Sequence, residues 1–155
     1  MKLLENRIPP PIVMFATGAL MLWLDLLIPG LRLPFDPRLA QAVGGLIVFC
    51  GFAMDVYCLL NFIWRKTSPS PFNPGKASLI VRTGFYRFSR NPMYLGMAIV
   101  LAGWAVMLLN PLSLVGLPLF VAYINRFQIG PEERALAQRF GDEYMAYTQQ
   151  VRRWL

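Results

Sequence analysis

The sequence predicts an all-α integral-membrane protein: four transmembrane helices followed by an amphipathic helix on the cytoplasmic face. Three observations predict it. First, 56% of the 155 residues are hydrophobic, only 15% are charged, and the mean hydropathy is +0.47, where a soluble domain carries about 25% charged residues. Second, apolar runs of spanning length are separated by proline-rich punctuation. Third, with the N-terminus inside, the inner segments hold thirteen of the Lys and Arg residues and the outer ones only Arg32 and Arg38, a strong positive-inside pattern. The length suits one domain over 1–155. Low charge excludes disorder. In this setting the excess of 15 Lys+Arg over 8 Asp+Glu reports topology and contact with anionic lipid rather than nucleic acid.

The first span is expected at 12–28, after Pro9-Pro10-Pro11, with Asp25 as its one charge. The run is long for a signal peptide, and no small-residue cleavage site follows it. A turn holding Arg32, Asp36 and Arg38 leads to the second span, 39–64, whose one charge is Asp55. An intramembrane carboxylate usually faces the protein interior and often marks function. Cys50 and Cys58 share this run. On one helix they stand ~12 Å apart along the axis, too far to pair with each other.

A basic segment then breaks the pattern. Arg65–Arg90 carries six basic residues, no acid, and Pro69, Pro71, Pro74 and Gly75. A loop longer than about 12–15 residues usually carries function or is disordered, and Leu79-Ile80-Val81 and Phe85-Tyr86 suggest that this one packs. From Asn91 to Asn125 nothing is charged. Asn110-Pro111 divides that stretch into spans at 92–109 and 112–129, the latter with an expected kink at Pro118. After Gly130-Pro131 a helix over 131–154 is expected. Leu136, Phe140, Tyr144, Tyr147, Val151 and Trp154 form its apolar face, with Gly141 as its weak point.

No histidine occurs, which removes His metal sites, His bases and His-activated nucleophiles. Two polar clusters remain at the cytoplasmic side. In Thr83–Gly96, Asn91 suits an N-cap and Pro92 position N1, while Arg87 and Arg90 suit snorkelling to lipid phosphate. In Gly130–Arg134, Glu132 and Glu133 suit the first turn of a helix, where they complement its dipole. Together the clusters also offer acidic, basic and aromatic groups around one cytoplasm-facing opening.

Those same residues carry a resemblance. Gly84-Phe85-Tyr86, Arg90-Asn91-Pro92-Met93-Tyr94-Leu95-Gly96, Glu132-Glu133, Phe140-Gly141-Asp142-Glu143-Tyr144-Met145-Ala146-Tyr147 and Val151-Arg152-Arg153-Trp154 resemble the integral-membrane methyltransferases. That superfamily includes the isoprenylcysteine carboxyl methyltransferases and the phospholipid methyltransferases. Its pattern is Gly-x-Tyr, Arg-His-Pro-x-Tyr-x-Gly, Glu-Glu and Phe-Gly-x-x-Tyr-x-x-Tyr. Each motif alone is weak; all of them in order make a specific signal over the last 90 or so residues.

The resemblance implies S-adenosylmethionine as methyl donor and a lipidic or amphiphilic acceptor, a carboxylate or an amine. It assigns donor binding to Ser78, Leu79, Ile80, Val81 and Tyr86, to Arg90, Asn91, Pro92, Met93 and Tyr94, and to Glu132. Asn91 stands where the best-studied members have His; it can hydrogen-bond but cannot carry a proton. Glu133 is a candidate to take a proton from an amine. Arg126 is a candidate to orient an anionic acceptor, with interface snorkelling as its alternative. No metal is implied. The rival readings are an NADPH-dependent membrane reductase of the sterol-reductase type and a small four-helix transporter using Asp25 or Asp55.

Overall fold

The computed structural model describes residues 5–64 and 79–155, with the backbone alone at Phe62. The described residues are helical throughout, with no strand among them. Three long helices begin on a proline: α1 (Pro10–Leu27), α2 (Pro37–Trp64) and α3 (Pro92–Leu108). A proline at the first helical position has its φ preset, and the N–H it lacks would have had no partner there. The bounds fall within two residues of those expected. α1, α2 and the helix that begins at Pro111 are long and apolar enough to cross a membrane; α3 is apolar but shorter.

α3 is the centre of the bundle, packed by α2 on one side and by α1 and the fourth helix on the other. Its seam with α2 is made of paired glycines. A Cβ at Gly51 would lie 2.7 Å from the Gly96 carbonyl oxygen, one at Gly96 would lie 2.9 Å from that of Gly51, and Gly44 and Gly103 face each other the same way. Small residues let two backbones approach where no water drives helices together. On the other side of α3, Met21, Leu101, Phe120 and Ile124 fill the main core.

Beyond α3 the chain turns at Leu109, in the left-handed region at φ 55°, and at Asn110, whose side-chain oxygen accepts from the Leu112 N–H at 3.0 Å. A 3₁₀ segment, Pro111–Val115, leads into α4 (Gly116–Ile124). Pro118 therefore falls in the first turn of α4, directly after the 3₁₀ segment. The irregularity in this helix comes later, as a π segment at Asn125–Ile129.

That segment overturns the expected break at Gly130-Pro131. The helix runs on through both residues as α5 (Gly130–Phe140). Pro131 has no N–H for the Phe127 carbonyl four residues back, and its ring needs room there. The wider π turn supplies the room, with the Gly130 N–H donating to the Asn125 carbonyl. The freed Phe127 carbonyl accepts the N–H of Asn6 at 3.0 Å. The Gln128 side chain donates to the Ile8 carbonyl at 2.8 Å, and Arg134 pairs with Glu5 at 2.7 Å.

The single helix expected over 131–154 is also corrected. Gly141, at φ 49°, ends α5 and starts α6 (Asp142–Gln150), and Val151 leaves α6 in extended backbone. The predicted apolar face survives across the break: Tyr144, Tyr147 and Val151 are buried with Leu136, Ala137 and Phe140 around them. Trp154 does not belong to it and packs against the main core instead.

Candidate functional site

The site is built at the end of the bundle where α3 begins and α5 begins. Gly84, at φ 61°, opens a 3₁₀ turn over Gly84–Arg87 that directs Tyr86 inward. An L side chain is disfavoured in that conformation, which accounts for glycine two places before the tyrosine. Tyr86 is buried with Met54, Cys58 and Val81, and Met93 packs on them. Its carbonyl accepts the Tyr147 hydroxyl at 2.8 Å, which anchors α6 to this turn. Burial pushes the Tyr147 and Tyr144 phenols up to about 12 and raises that of Tyr86 well above its ordinary value. All three therefore stay protonated near neutrality.

Tyr94, one turn into α3, donates from its hydroxyl to Glu132 Oε1 at 2.6 Å. Tyr94 is buried and Glu132 is half-buried. A carboxylate removed from water needs such a donor, and this one comes from the other motif. Glu133 points to the rim of the site. Arg153 donates to its two oxygens at 3.1 and 2.5 Å, and the Arg90 guanidinium lies 3.4 Å from it. The Arg90 Nε is buried and has no hydrogen-bond partner among the described residues. Buried polar groups are paired in the great majority of structures, so this donor stands out as an unmet hydrogen-bonding group.

The structure thus brings Arg90, Tyr94, Glu132 and Glu133 together. It puts Val81, Tyr86 and Met93 in one adjoining apolar cluster and Ile80 in another, while Leu79 is partly exposed. Pro92 is buried as the first residue of α3. Asn91 occupies the N-cap position but makes no side-chain cap bond; its Nδ2 donates to the Arg153 carbonyl at 2.9 Å. Ser78, and the basic segment from Arg65 to it, lie outside the described residues. Arg126 is exposed on the π segment. Asp55 is half-buried on the face of α2 toward Gly96, and its Oδ1 has no hydrogen-bond partner among the described residues. Cys50 and Cys58 are both free thiols.

Arg153 was missed as a site residue. Its motif was visible in the sequence, but Trp154 matched the helical period and drew the whole segment into the helix. Beside the polar site, a cavity of about 730 Å³ opens between α2 and the 3₁₀ turn. Met54, Tyr57, Phe85, Phe88 and Ile99 line it, with Arg87 as its one charged residue among the described residues.

Residues 39–143 match the family model of the phospholipid methyltransferases. The chain is 30% identical over 145 residues to the protein-S-isoprenylcysteine O-methyltransferase of Homo sapiens, covering 88% of this chain and 49% of that protein. It is 40% identical over 76 residues to the enzyme of the same name from Saccharomyces cerevisiae, covering 47% of this chain and 30% of that one. It is also 48% identical over 63 residues, 41% of this chain, to the whole of an uncharacterized protein of Haemophilus influenzae. The chain therefore spans half or less of the two methyltransferases' lengths. No solved structure matches it.

Proposed function

This chain belongs to the phospholipid methyltransferase family, and we propose that it transfers a methyl group from S-adenosylmethionine to a lipidic or amphiphilic acceptor. The observation that carries the reading is the 2.6 Å Tyr94–Glu132 hydrogen bond, which joins motif segments 38 residues apart at a half-buried carboxylate. The residues present fit the donor. Glu132 suits its ammonium group, and the Arg90 Nε, unpartnered among the described residues, suits its carboxylate. When bound, S-adenosylmethionine supplies an electrophilic methyl group on a sulfonium.

What the chain must then supply is alignment and a dry site, since charges are consumed in the displacement and no general acid is needed. Tyr94 holds Glu132 in place, and Tyr86 with Val81 and Met93 excludes water from one wall. Ser78, Leu79, Ile80, Asn91 and Pro92 complete the donor set in this reading. A carboxylate acceptor is already ionised at neutral pH, whereas an amine must first lose a proton. Both Glu133 oxygens already accept from Arg153, which makes Glu133 a poor base and supports a carboxylate acceptor. Arg126, exposed and with no ion pair among the described residues, is available to an anionic acceptor at the membrane surface. The apolar cavity beside the Gly84–Arg87 turn supports lateral entry of an acyl or prenyl chain. The thirteen-to-two basic asymmetry supports a cytoplasmic membrane location with both termini in the cytoplasm.

Binding of radiolabelled S-adenosylmethionine and of NADPH to the detergent-purified chain tests the reading. Saturable binding of the first and none of the second is expected. The reverse would assign the reductase chemistry, and binding of neither would return the transporter reading.

A further inference from the structure

After α6 the chain does not leave the protein. It runs beside the polar site as a short strap, Arg152–Trp154, tied to the start of α3, to Glu133 and to the π segment. The Arg152 carbonyl accepts the Arg90 N–H at 2.9 Å, and the Arg153 carbonyl accepts Asn91 Nδ2 at 2.9 Å. The Arg153 guanidinium clasps Glu133. The Trp154 indole N–H donates to Asn125 Oδ1 at 3.0 Å, on the π segment. Upstream, Val151 is buried in the α6 cluster and anchors the strap's near end.

Exposure orders these groups from inside to outside. Tyr94 is 7% exposed, the Arg90 and Glu133 side chains are 15% and 18% exposed, and that of Arg153 is 43% exposed. The Arg153 side chain, on the strap, is therefore the outermost of these groups. The strap is held by a few polar contacts rather than by a packed apolar face, apart from Trp154. Segments of that kind open locally at far lower cost than the core, and opening of such elements commonly sets the rate of ligand exchange.

We propose that Arg152–Trp154 is the gate of the donor site: it lifts when the Arg153–Glu133 clasp parts, and it closes over the bound donor. This rests on the donor site lying at Glu132, as proposed above. Arg153 is in this account a positioning residue, acting through the strap. Parting the clasp exposes the Arg90 N–H and frees Asn91 Nδ2 together, so gate opening has a signature that needs no ligand.

The test is Arg153→Gln in the full chain, with Trp154→Phe as a second variant that removes the indole N–H and trims the ring packed on the main core. Amide hydrogen exchange at Arg90 should quicken by about 10-fold in Arg153→Gln, the weight of one charge-assisted, partly exposed contact. Exchange in the middle of α3 should not change. S-Adenosylmethionine should both enter and leave faster in stopped-flow measurements, by similar factors, so that affinity moves less than either rate. Arg153→Lys should restore part of both effects. Unchanged Arg90 exchange in Arg153→Gln and Trp154→Phe alike would overturn the gate. So would a loss of affinity confined to faster release, which would make Arg153 a direct donor ligand. If the parent chain binds no S-adenosylmethionine at all, the methyl-transfer reading fails, while the exchange result still decides whether the strap opens as a unit.

Discussion

At one end of α3, Asp25 is fully buried and completely satisfied. Arg32 donates to its two oxygens at 2.9 and 2.5 Å, and Asn110 donates to it at 3.1 Å while also donating to the Ile28 carbonyl. At the other end, Glu132 has one donor, Glu133 is shared between Arg90 and Arg153, and the buried Arg90 Nε has none among the described residues. The ends use the same residue types. The first is a closed network that ties α1, its following turn and the α3–α4 turn together. The second leaves hydrogen-bonding capacity unspent beside a strap of exposed side chains. Acidic and basic residues at a helix end therefore do not mark a site by themselves; an unpaired buried donor beside half-buried carboxylates does.

The sharpest way to break the comparison is Arg32→Ala. It leaves the buried Asp25 carboxylate without its cation, and a buried charge left unpaired is strongly destabilising. The thermal midpoint in detergent should fall steeply, while the fraction that stays folded binds S-adenosylmethionine as before. A loss of affinity without a loss of stability would show that the two ends are not separate.

A smaller effect sharpens the other end. Asn91 occupies a cap position without capping, so Asn91→Ser should leave stability within about 1 kcal/mol. Serine is too short to replace the contact with the Arg153 carbonyl, and affinity for S-adenosylmethionine should fall. Stability and affinity both unchanged, measured on one preparation, would reduce Asn91 to a helix end.

Much of the fold was legible because its signals are local. Pro10, Pro37 and Pro92 each stand at the start of an apolar run, and Asn110-Pro111 stands in the turn between two. What could not be read depends on distant partners. The helix passes Pro131 only because a π turn makes room and Asn6, more than a hundred residues earlier, takes the stranded Phe127 carbonyl. The end of α6 was hidden by a period that Trp154 satisfies by chance, since its indole is claimed by Asn125 and its ring by the main core. The site was legible in part. The resemblance singled out Tyr94 and Glu132, but nothing in either segment alone says that one donates to the other. Glu133 and Arg126 illustrate the limit: a motif named the first and its place near a helix end the second, yet one is committed to two arginines and the other stands exposed on the π segment.

The central claim is that Glu132 is where the methyl donor is held. Titration calorimetry of S-adenosylmethionine into the parent chain and into Glu132→Ala, with thermal melts of both, tests it most directly. The account predicts that the parent binds, and that the variant keeps its helical fold and loses about 10- to 150-fold in affinity, the weight of one hydrogen bond to a charged group. Unchanged affinity in a well-folded Glu132→Ala chain would contradict it and leave Glu132 as an acidic residue complementing the first turn of α5.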